Sequence, residues 1–138
     1  PEQLGSLHVL LSNLKLPITV SWTKGKDRSK QQNDLAFKWY GEIAAQMGDR
    51  DASQVRAHCK LYHGVKMLVT ENEAFRDAWY RLIKDRFTLE EKLELMLEPH
   101  DYPVTRIMKV SQMTRYLEEI IAEFQPMGVT LTMPEDKL

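Results

Sequence analysis

The segment between residues 29 and 48 constrains this chain more than any other. Ser29-Lys-Gln-Gln32 has the form of a capping box. A serine at the helix N-cap and a glutamine three residues later satisfy each other's free backbone N–H groups. Behind it, Leu35, Ala36, Trp39, Tyr40, Ile43, Ala44 and Met47 recur at helical period, and Gly48 stands where a helix would stop. A stripe with two large aromatics has to be buried against other elements, so the chain must build a packed core. Its composition agrees: 43% of residues are apolar and 28% charged, as in ordinary globular domains. At 138 residues it has the size of one domain and buries enough surface to fold without a disulfide or metal staple. Cys59 is the single cysteine, which fits a reducing compartment.

Other elements follow from the same signals. Residues 2–14 carry Leu4, Leu7, Leu10, Leu11 and Leu14 at helical spacing, and Pro17-Ile-Thr-Val-Ser-Trp22 alternates as a strand would. Asp51-Ala-Ser-Gln54 starts a helix over roughly 52–63, Thr70-Glu-Asn-Glu73 another, and Thr88-Leu-Glu-Glu91 a short one ended by Pro99. Residues 104–108 are expected as a short strand. Ser111 is expected to cap a last helix to about Gln125, followed by Gly128 and an extended tail over 129–133. The sum is a single α+β domain over residues 1–138, mostly helical, with about five helices and a small sheet of two or three short strands.

No apolar run reaches the ~18–20 residues that cross a bilayer. Residues 1–16 lack the basic start and cleavage site of a secretory signal. Catalytic patterns are sparse. Cys59 and His63 share a helical face as half a zinc site would, but no second pair accompanies them. As a nucleophile pair they lack an orienting acid. There is no phosphate-binding glycine loop and no nucleophile elbow. Glu90, Glu91, Glu94 and Glu98 read as a solvated acidic face. His100-Asp101 alone specifies no geometry. No catalytic residue, metal or cofactor is assigned.

The net charge of −1 hides an asymmetry: residues 1–70 hold 10 Lys/Arg against 6 Asp/Glu, and residues 71–138 hold 9 against 14. The densest basic cluster is Lys24-Gly-Lys26-Asp-Arg28-Ser-Lys30, leading into the capping box. It is either a solvated loop or a phosphate-contacting patch at a helix N-terminus. Gln32 and Asn33 add amide donors and acceptors there, and Trp39 is either a core residue or a base-stacking platform.

Arg28-Ser-Lys-Gln-Gln32-Asn33, followed by an aromatic-rich helix, resembles the RSxxQN signature of the phage NinB/Orf recombination-protein family. Val104 to Val110 resembles that family's strand before its last helix, and Ser111 to Gly128 resembles the helix itself. Gly128-Val129 with Pro134-Glu135 resembles the family's ending. The resemblance covers most of residues 7–135. It implies an α+β fold and a non-catalytic recombination mediator acting in the bacterial host cytoplasm. Such a protein binds single-stranded DNA and helps load a recombinase or annealing protein against single-strand-binding protein. It implies a homodimer, with single-strand-binding protein and a phage recombinase as further partners and no membrane association. The expected DNA-binding residues are Lys24, Lys26, Arg28, Lys30, Gln32, Asn33, Arg106 and Lys109. On that reading Gln32→Glu keeps the capping box, holds or raises the melting temperature and weakens DNA binding. The alternative is a small phage nuclease or resolvase subunit using a divalent metal. A third reading is a protein-interaction module docking through Glu90 to Glu98.

Overall fold

The computed structural model describes residues 27–134. The expected helix over 2–14, the strand over 17–22, and Lys24 and Lys26 lie outside the described residues. Helix α1 spans Lys30–Met47. Its start is the expected capping box: Gln32 N–H donates to Ser29 Oγ at 3.0 Å, and Ser29 N–H donates to Gln32 Oε1 at 3.0 Å. Gly48 ends it at φ 76°, a left-handed conformation natural to glycine. Trp39, Tyr40 and Ile43 on its stripe are buried.

A second capping box, Asp51 with Gln54, opens α2 at Ala52–Cys59. The chain does not leave the helix near residue 63. It passes through a π-helical segment, Lys60–Val65, into α3 at Lys66–Glu71. The junction residues Cys59 and Val65 keep right-handed helical dihedrals, so residues 52–71 form one rod. Asn72 breaks it with an extended backbone and caps α4, Glu73–Leu82, by accepting from Phe75 N–H at 2.9 Å. The cap is therefore Asn72, two residues beyond the expected Thr70. Thr88 caps α5, Leu89–Leu95, as expected. The last helix, α6, spans Val110–Phe124. It starts at Lys109, whose N–H donates to Gln112 Oε1 at 3.0 Å, and Ser111 lies inside its first turn.

The α+β expectation is overturned. Among the described residues there is no strand and no sheet, and one isolated antiparallel bridge joins Asp27 to Lys109. The 104–108 segment is a 3₁₀ turn over Thr105–Ile107. A strand needs a partner for its backbone groups. Here the groups turn inward instead: Ile107 N–H donates to Val104 O, and Met108 N–H to Thr105 O at 3.1 Å. The buried positions 104, 105 and 108 follow that turn and do not alternate as strand positions would.

The core forms where α1 packs on α2 and where α6 lies across α1 and the π segment. Tyr40 and Tyr116 meet hydroxyl to hydroxyl at 2.8 Å inside it. Burial pushes both phenols well above their usual range. Gly64 in the π segment sits so close to Val104 that a Cβ there would lie 2.5 Å from Val104 Cγ1. The C-terminal tail runs along α1. Trp39 Nε1 donates to Thr132 O at 2.7 Å, the Gln46 amide bonds both backbone groups of Thr130, and Glu42 takes the Thr132 N–H and hydroxyl. Among the described residues no helix is long and apolar enough to cross a membrane.

On the other face of α6, Arg115 grips Glu71 with both terminal nitrogens, and Gln112 adds a third bond. The hydrogen bonds from Arg115 hold the Glu71 carboxyl down to about 2, against the opposing effect of burial. A depressed carboxyl stabilises the fold above its unfolded value near ~4.3 and loses that contribution as pH falls from there toward 2. Glu71→Gln is accordingly expected to flatten the loss of stability between pH 4.5 and 2. Urea melts of both proteins across that window check this: parallel loss in the two would show that the clamp has no part in acid sensitivity.

Candidate nucleic-acid interface

Arg28 and the 105–109 segment lie far apart in sequence and side by side in space. Arg28 N–H donates to Met108 O at 2.9 Å, and its Nη1 donates to Thr105 Oγ1 at 2.8 Å. The neighbouring Asp27–Lys109 bridge fixes the same approach. These contacts turn Arg28, Asn33 and Arg106 toward one cleft of about 250 Å³. Arg56 enters it from α2, Phe37 from α1, and Asp101 from the loop after α5.

The cleft is built around an ion-pair floor. Lys60 is 1% exposed, and its Nζ donates to Asp101 Oδ1 at 2.6 Å and to Met96 O at 3.1 Å. Arg56 Nη1 donates to the same Oδ1 at 2.9 Å. Burial works against the charged Asp101 carboxyl, but the bonds from Lys60 and Arg56 outweigh it and leave its pKa below the ordinary value. Burial chiefly lowers the pKa of Lys60, against its bond to Asp101. Asp101 holds φ 44°, in the left-handed region that Asp tolerates better than most residues. Its N–H donates to Leu97 O at 2.7 Å, which holds the carboxylate in place.

With the Asp101 carboxylate engaged by two cations, the guanidiniums dominate the cleft. Burial lowers the pKa of half-buried Arg28, and Arg56 and Arg106 push in the same direction. Three cations that repel one another across a small space form a standing demand for an anion. Arg106 is exposed and forms no hydrogen bond or ion pair with another described residue. Arg56 Nε is buried and has no hydrogen-bond partner among the described residues. Phe37, 51% exposed, stands at the side of the cleft with the Arg56 guanidinium 5.2 Å from its ring centre.

The expected site residues therefore divide. Arg28, Asn33 and Arg106 come together. Lys109 is exposed beside them at the start of α6. Lys30 is exposed and pairs with Asp34 one turn on, at 2.8 Å. Gln32 is fully buried, and its side chain is committed to structure: Nε2 donates to Val110 O at 3.2 Å and to Thr114 Oγ1 at 2.9 Å. It fixes α6 against the start of α1, leaving no group for DNA. Trp39 is a core residue tied to the tail, so the ring available for stacking is Phe37. Phe37 lies one turn after Asn33, off the apolar stripe, and an exposed aromatic at that spacing was the legible sign. Arg56 and Asp101 carried no such sign.

The Cys59/His63 pair does not assemble. Cys59 is buried and burial pushes its thiol up, away from the thiolate a nucleophile needs. His63 instead bonds two carboxylates of α6, Glu119 at 3.0 Å and Glu123 at 2.6 Å, while His58 meets the other oxygen of Glu123 at 2.7 Å. No protein-family model, curated protein or solved structure matches the chain.

Proposed function

We propose that this chain is a single-stranded-DNA-binding recombination mediator of the NinB/Orf type, without catalysis. It would act as a homodimer alongside single-strand-binding protein and a recombinase in the bacterial cytoplasm. The observation that carries the reading is the cleft itself. Arg28 of the RSxxQN-like motif and Arg106 of the segment resembling the family's penultimate element face one space, joined by Arg56 and an open aromatic ring. Guanidiniums beside an exposed ring form the pairing that tracks a phosphate backbone and stacks a base. Among the described residues no long basic helix suited to a major groove accompanies it, which favours single strands over duplex.

Fluorescence anisotropy with matched single- and double-stranded oligonucleotides tests the reading. Single strands are expected to bind more tightly, and affinity to fall with salt as counterions are released. Arg106→Ala, which removes no bond to another described residue, should weaken binding and reduce the salt slope by about 0.7, the value of one single-strand phosphate contact. Equal affinity for duplex, a flat salt response, or an Arg106→Ala protein that binds like the parent would each count against it. Loss of the DNA on adding magnesium would move the assignment to a nuclease.

A further inference from the structure

The charge and size of the arginine cleft say which part of a DNA strand fits it best. Resting on the reading above, we propose that the cleft holds the terminal phosphate of a DNA strand, a phosphomonoester end, in preference to an internal phosphodiester. The first support is charge. Lys60 offsets Asp101 at the floor, which leaves Arg28, Arg56 and Arg106 to be answered by the ligand. An internal diester brings one negative charge and two free oxygens. A monoester brings about −1.5 to −2 at neutral pH and three free oxygens.

The second support is the supply of donors. Arg106 has its whole guanidinium free of described partners, and Arg56 keeps its Nη2 after Nη1 bonds Asp101. Among the described residues the one hydrogen bond from the Arg28 side chain goes from Nη1 to Thr105, leaving its other N–H groups for a ligand. The fork of Arg106 suits two oxygens presented in a plane, and the remaining N–H groups of Arg28 and Arg56 supply donors for a third.

The third is space. At about 250 Å³ the cleft is below the ~300–1,000 Å³ of pockets that swallow a whole small ligand. A phosphate fits inside while its sugar and base remain at the mouth, where the exposed Phe37 ring offers a stacking surface. The end of a strand can enter such a space head first.

Four short single strands of one sequence test this against the intact protein by anisotropy. One carries a 5′-phosphate, one a 3′-phosphate, and one hydroxyls at both ends. The fourth is hydroxyl-ended and one nucleotide longer, so that added charge alone is controlled. One phosphorylated strand is expected to bind about tenfold more tightly than both hydroxyl-ended strands, the scale of one or two charge-assisted hydrogen bonds. Which strand gains identifies the 5′ or the 3′ end as the source. The advantage should shrink as pH falls through about 6, where a monoester takes up its second proton and a diester does not. Arg106→Ala should remove most of the advantage while leaving the fold intact by circular dichroism. If all four strands bind alike, the end preference is wrong and the single-strand reading stands. If none binds, both fail. A gain that the longer hydroxyl strand reproduces also overturns the proposal, since it reflects charge alone.

Discussion

Gln32→Glu is expected to lower the melting temperature by roughly 10 °C, corresponding to about 3 kcal/mol for a domain of this size. Sequence reasoning points the other way, because glutamate serves a capping box as well as glutamine and suits the positive helix end. The structure shows what the box alone conceals. Gln32 is 0% exposed, and its amide nitrogen donates to Val110 O and Thr114 Oγ1. Glutamate has no donor to put there. Its second oxygen would face the Val110 carbonyl inside the core, and Thr114 Oγ1 already spends its proton on that same carbonyl. The variant must bury a repelled charge or take up a proton, and either outcome costs stability. Thermal melts at pH 7 decide the matter. A melting temperature equal to or above the parent's would show that capping outweighs the link to α6.

Gly64→Ala is the second large effect, about 2 kcal/mol of destabilisation by overpacking. The new methyl would meet Val104 Cγ1 at 2.5 Å, with Met108 and Tyr116 behind it at 3.5 Å. Valine has one stiff torsion and cannot swing its methyl away freely. The strain passes to the loop that carries Asp101 and Arg106, so on the proposed reading DNA affinity should fall together with stability. Gly41→Ala is the internal control. Gly41 lies within α1 with no atom of another described residue within 4 Å of where a Cβ would stand, and alanine there should stabilise the helix by roughly 0.5–1 kcal/mol. Chemical denaturation of the two variants should move in opposite directions. If both rise, the close approach at Gly64 is relieved at no cost.

Three helix starts were legible from a reciprocal pair of side chains, while those at Asn72 and Lys109 were displaced by two residues. Ser29–Gln32, Asp51–Gln54 and Thr88–Glu91 all cap as their spacing requires, because a capping box is a local contract within four residues. The rod from 52 to 71 was less legible. Its centre contains Gly64 beside β-branched Val65, a weak helical sequence held by packing of the π segment on α6. The strand over 104–108 misled for the same reason: β-branched content says that a residue suits a half-buried surface, and Val104 and Thr105 are buried in a turn. In the cleft, Arg28 and Arg106 were legible as cations beside a motif. Arg56 and Asp101 were not, since their partnership spans 45 residues and depends on how the loop after α5 folds back.

The wide turn at Lys60–Val65 has a further meaning for how this chain can vary. Each residue of an α-helix rotates the next by 100°, so the two ends of an uninterrupted rod are locked in azimuth. A π turn takes up additional residues without completing additional rotation, and acts as a slipped tooth between two gears. Ahead of it, Arg56 reaches Asp101, and beyond it Glu71 reaches Arg115. Restoring a regular pitch while keeping every residue would swing one of those side chains off its partner. The angular settings of the cleft and of the α6 clamp are thus related through these six residues, and an insertion or deletion among them would retune one against the other.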